Sequence, residues 1–117
     1  MTLRYAAPEL LNGNSDKPSI ETDIYSFGMT VLEIVTGEVP FANYAQPIAL
    51  SIQVGVKGEI PARPDLSLIF PEKAMEDEFW GLLTRCWDSE PKNRPSAPHL
   101  RTQLASIWER LSHTSAN

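Results

Sequence analysis

Few residues in this chain are of a type that binds metals or attacks bonds unaided. Two histidines, His99 and His113, and one cysteine, Cys86, stand apart without metal-ligand spacing, so no metal site is expected. Both histidines read as solvated surface groups. Carboxylates are more plentiful. Glu76, Asp77 and Glu78 precede an apolar-periodic stretch, and Asp23 precedes another, positions where negative charge suits the positive end of a helix dipole. Glu9 and Arg94, taken alone, read as two surface charges.

The element that would position these groups runs from Thr22 to Gly37. Thr22 is expected to accept a hydrogen bond from a first-turn N–H, and Gly37 suits a left-handed stop with Pro40 just beyond. At about 100° per residue, Ile34, Phe27, Val31, Ile24, Val35, Leu32, Tyr25 and Met29 span an arc of roughly 220°, against about 100° for a helix lying on a core. Such a helix requires neighbours on at least two sides.

Around it, Pro8 opens a short helix through Leu11, and Asn12–Asp16 forms a loop. A second helix is expected over Gln46–Val54, although Ile48, Leu50, Ile52 and Val54 alternate in a pattern that also fits a strand. Gly and Pro spacing from Gly55 to Pro71 forbids regular structure and leaves a long connector lying along a surface. Phe79, Trp80, Leu82, Leu83, Cys86 and Trp87 recur at helical spacing behind the acidic triplet. Ser96 is the expected cap of a last helix carrying Leu100, Leu104, Ile107, Trp108 and Leu111, with a frayed tail over residues 112–117. The fold class is therefore all-α, with about five helices around a central buried one, joined by long Pro-rich connectors.

The 117 residues suffice for one domain with a moderate core, 42% of them being apolar. A net charge of −5 with scattered lysines and arginines offers no footprint for nucleic acid or an anionic membrane. The single cysteine, the absence of a glycosylation sequon and the lack of any apolar run long enough to span a bilayer point to the cytoplasm, with the nucleus as the alternative.

Four motifs in order resemble the last third of a eukaryotic protein kinase domain: Thr2-Leu3-Arg4-Tyr5-Ala6-Ala7-Pro8-Glu9, Asp23-Ile24-Tyr25-Ser26-Phe27-Gly28, Arg85-Cys86-Trp87 and Pro91-Lys92-Asn93-Arg94-Pro95-Ser96. They are most similar to the tyrosine-kinase-like group of serine/threonine kinases. The resemblance covers residues 1–111 as a partial kinase domain, the C-terminal lobe. It implies that Glu9 and Arg94 form a buried ion pair and that Asp23 anchors the catalytic loop. It also implies that Thr2, Leu3, Arg4 and Tyr5 form the loop facing the protein substrate, with Thr2 indicating serine/threonine specificity. Thr30 and Ile34 would give indirect support beneath a nucleotide. Met1 stands where the family has Gly, which suggests an internal boundary or a late start codon.

Phosphoryl transfer needs a Gly-rich loop, a strand Lys, a catalytic-loop Asp and Asn, and a Mg²⁺-binding Asp-Phe-Gly. None occurs in these residues. The expectation is a kinase C-lobe fragment, inactive alone, with no cofactor of its own; ATP and Mg²⁺ belong to an intact parent domain. The alternative is a non-catalytic protein-interaction module derived from that lobe. Expected partners are a protein substrate or the missing kinase segment. With half the cover of the central helix absent, an exposed apolar patch would drive self-association.

Overall fold

The computed structural model describes residues 3–116, with side chains to residue 113. Among these residues every regular element is helical. A 3-10 turn at Leu3–Tyr5 leads to α1 (Pro8–Leu11), α2 (Ile20–Thr36) and α3 (Pro47–Leu50), which continues as a π-helical turn over Ser51–Val56. Then come α4 (Lys73–Cys86), a second 3-10 turn (Pro91–Asn93) and α5 (Ala97–Ala116). The all-α architecture with α2 at its centre is the expected one. α5 continues helically into the stretch where fraying is expected. Among the described residues no helix is long and apolar enough to cross a membrane.

The cap of α2 is Ser19, not Thr22. Ser19 has extended backbone, so its hydroxyl can turn back onto the helix, and Ser19 Oγ accepts from the Thr22 N–H at 3.1 Å. Thr22, already the third helical residue, returns the bond by accepting from the Ser19 N–H at 2.7 Å. This reciprocal capping box satisfies two orphan donors and places the cap three residues earlier than expected. At the other end Gly37 is left-handed, φ 74°, and its N–H donates to Glu33 O at 2.7 Å.

α2 meets α4 at Gly28. A Cβ there would lie 2.7 Å from Trp87 Nε1 and 3.0 Å from Cys86 Cβ, so the missing side chain is what lets the end of α4 approach. Trp87 and Cys86 are fully enclosed, and burial pushes the Cys86 thiol up to about 11, leaving it inert at neutral pH. Phe79, Leu82 and Leu83 of α4 join Ile24, Tyr25, Met29 and Leu32 of α2 in one core.

The ambiguous stretch after Pro47 is helical. Leu50 and Val54, one turn apart, are buried, while Ile48 and Ile52 face outward, so the alternation that suggested a strand is really one inward and one outward helical row. The connector to α4 has no regular structure, yet Leu66 and Phe70 are buried, Phe70 stacking 5.0 Å from Phe79. Arg63 pins it to α4 through Glu76 at 2.9 Å and Asp77 at 2.5 Å. α4 begins at Lys73, ahead of the acidic triplet, and Ser96 Oγ accepts from the His99 N–H at the head of α5.

Glycine replacement separates packing from helix propensity. Gly28→Ala is expected to lower stability by about 1–3 kcal/mol through overpacking against Trp87. Gly81→Ala, where a Cβ meets nothing within 4 Å, should raise it by about 0.5–1 kcal/mol. Urea midpoints of the two variants check both signs.

Candidate functional site

Glu9 and Arg94, 85 residues apart, meet as a two-pronged ion pair, Nη1 to Oε2 at 2.7 Å and Nη2 to Oε1 at 2.8 Å. The Arg94 side chain is 0% exposed and that of Glu9 13%. Two further donors of Arg94 are used: Nη1 reaches Glu21 O at 2.9 Å and Nε reaches Asp88 O at 3.0 Å. The guanidinium carbon lies 5.1 Å from the centre of the Tyr25 ring, close enough for cation–π attraction. Burial alone would push the Glu9 carboxyl up. The Arg94 hydrogen bonds and charge, with a backbone bond, outweigh it and hold the group below its usual range.

The 3-10 turn at Leu3–Tyr5 is seated on α2. Ser26 Oγ donates to Tyr5 O at 2.7 Å, and the Tyr5 hydroxyl donates to the Glu33 carboxylate. That hydrogen bond, then burial, hold the Tyr5 phenol above its ordinary value. Arg4 turns the other way and donates to three carbonyls of the segment after α2: Pro40 at 3.2 Å, Phe41 at 2.5 Å and Tyr44 at 2.8 Å. Between this loop and the start of α3 lies a notch of about 410 Å³, lined by Leu3, Arg4, Tyr5, Val39, Pro47 and Leu50 among others. Met1 and Thr2 lie outside the described residues.

Asp23, Phe27, Thr30 and Ile34 share one face of α2, and all four are exposed, Ile34 by 75%. The arc of roughly 220° is thus not buried throughout: Phe27 and Ile34 lie open, as expected of a central helix lacking half its cover. Asp23 does not satisfy the local N–H groups, because Ser19 has taken that role. Thr30 bonds back to Ser26 O at 3.0 Å. Beside this face an apolar groove of about 860 Å³ opens between α2, α4 and α5, with Phe27, Val35, Leu104 and Trp108 among its lining. Trp108 is 71% exposed, whereas its helical position suggested a core residue.

The sequence model described as "Protein kinase domain" matches residues 1–104. The chain belongs to the protein kinase family. It is 32% identical to an Arabidopsis thaliana "Protein kinase and PP2C-like domain-containing protein" over 94% of this chain and 18% of that one. It is 37% identical to "Serine/threonine-protein kinase mos" of Patiria pectinifera, over 88% of this chain and 26% of that one. It is also 35% identical to "Tyrosine-protein kinase receptor TYRO3" of Xenopus tropicalis, over 85% of this chain and 10% of that one. The chain therefore spans between 10% and 26% of the length of these relatives.

In this kinase chain the clamp holds three segments in place: the end of the Leu3–Glu9 segment, the head of α2, and the loop before α5. Sequence reasoning missed Ser26 and Glu33, which seat the loop on α2. Neither carries a local signal, because their partner Tyr5 is 21 and 28 residues away.

Removing one member of the clamp leaves the other charge buried, so Arg94→Ala is expected to cost about 3–5 kcal/mol in denaturant unfolding. The acid limb has a definite sign. Because the folded-state carboxyl of Glu9 sits below the ordinary glutamate value of 4.5, its contribution is fully present above that pH and lost as pH falls through the folded value. Glu9→Gln should therefore give a flatter stability–pH curve in that window than the wild type.

Proposed function

We propose that this chain is the substrate-docking helical part of a serine/threonine protein kinase of the tyrosine-kinase-like group, acting in the cytoplasm, and that it transfers no phosphate by itself. The observation that carries this reading is the apolar notch beside Leu3–Tyr5, of a size to take the side chain that follows a phosphoacceptor. Thr2, directly ahead of that loop, supports a serine or threonine acceptor. In an intact domain ATP and Mg²⁺ supply the phosphoryl group and neutralise its charge. The residues present do not fit these groups. The sequence holds no Gly-X-Gly-X-X-Gly cradle, and among the described residues no cluster of three His, Cys, Asp or Glu gathers to hold a cation. The role left to this chain is to bind and orient a protein segment, with Asp23 at the head of α2 available to a catalytic loop supplied from elsewhere.

A second reading, a non-catalytic interaction module, is favoured by the open groove between α2 and α5. Its occupant would be a kinase segment or a partner protein, and self-association through Phe27, Ile34 and Trp108 is the competing fate.

Incubated with Mg²⁺-ATP and generic serine-containing protein substrates, the purified chain is expected to transfer no phosphate above the blank. A rate that is lost in Thr2→Ala would overturn the proposal. Light scattering and an apolar dye separate the two fates: a monomer that melts cooperatively and leaves the dye dark supports the module, and a dye-binding aggregate supports a lobe lacking its cover.

A further inference from the structure

Among the described residues Phe41 is the one non-glycine with positive φ, at 56°. A bulky aromatic residue is strained in the left-handed region and persists there only when its surroundings hold it. Two things hold this one. Its ring is buried and lies 6.3 Å from that of Tyr44, and its carbonyl accepts both from the Tyr44 N–H at 2.9 Å and from Arg4 Nη1 at 2.5 Å. The same guanidinium also reaches Pro40 O and Tyr44 O, so one side chain gathers the carbonyls on both sides of the strained residue. Such convergence is costly unless a donor with several fixed N–H groups sits at its focus, and a guanidinium supplies them in one plane. Among the described residues no carboxylate pairs with Arg4. Its charge is therefore met by main-chain dipoles, and its position is fixed by the shape of the turn.

Arg4 belongs to the turn whose other residues, Leu3 and Tyr5, line the notch, and the segment it grips leads through Ala45 to Pro47 and Leu50 on the facing wall. We infer that Arg4 is the positioning residue of this notch. It latches the 40–44 turn to the Leu3–Tyr5 loop, and the left-handed Phe41 stores the tendency of that wall to move away when the latch is absent. The role of the notch as a subsite for the residue after a phosphoacceptor rests on the reading given under Proposed function; the latch itself does not.

Native-state hydrogen exchange on the full chain tests the latch. Arg4→Ala is expected to speed exchange of the Tyr44 amide by at least about tenfold while amides within α4 stay within about twofold of wild type. Arg4→Lys should not rescue Tyr44, because a single ammonium cannot serve carbonyls spread over residues 40–44 in fixed directions. Unchanged protection at Tyr44 in Arg4→Ala, or an equal loss over the whole chain, would overturn the latch. A second arm titrates a short peptide with Leu directly after Ser and follows the methyl resonances of Leu3 and Val39. Shifts in wild type that vanish in Arg4→Ala support the positioning role, and shifts of equal size in both refute it. No shift in wild type refutes the subsite reading, and the exchange arm then decides the latch by itself.

Discussion

A guanidinium taken wholly out of water dictates the arrangement of this protein. Arg94 is tolerable in the interior because four of its five N–H donors end on acceptors: two carboxylate oxygens of Glu9 and the carbonyls of Glu21 and Asp88. These acceptors come from α1, from the first turn of α2 and from the loop after α4. Satisfying one charge therefore fixes the relative placement of three segments distant in sequence. The Tyr25 ring beneath the guanidinium joins this polar knot to the core.

α2 is the scaffold on which that knot is tied, and its faces are unequally used. One side takes Trp87 against Gly28, where the absence of a Cβ lets an indole lie on helix backbone. Another side seats the Leu3–Tyr5 turn through Ser26 and Glu33. The third, marked by Asp23, Phe27, Thr30 and Ile34, is open to solvent and runs beside the apolar groove under α5. A helix with an apolar arc of roughly 220° has more surface than these segments cover, and the surplus lies at Phe27 and Ile34.

The polar contacts around the Leu3–Tyr5 turn are mostly between a side chain and a distant backbone. Arg4 grips carbonyls 36 to 40 residues away, and Ser26 grips one 21 residues back. Such bonds specify the fit of one loop on another without demanding particular residues at the accepting positions, since every residue offers a carbonyl. This is why the loop after α2 shows no motif of its own although its conformation is tightly held.

The residues alone determined the helical class, the extent of α2 to within a few residues, the amphipathic α4 and α5 and the irregular connector, because each follows from local periodicity, Pro and Gly chemistry, and capping. The motif order identified the kinase family and named Glu9 and Arg94 together. Only the tertiary structure decided that Ser19 rather than Thr22 caps α2, since that turns on which residue is extended. It also decided that Phe27, Ile34 and Trp108 lie open, because a hydrophobic pattern states what could be buried and not whether anything arrives to bury it. The grip of Arg4 on a strained Phe41 was likewise decided there: the carbonyls it joins have no side-chain identity for a sequence to display.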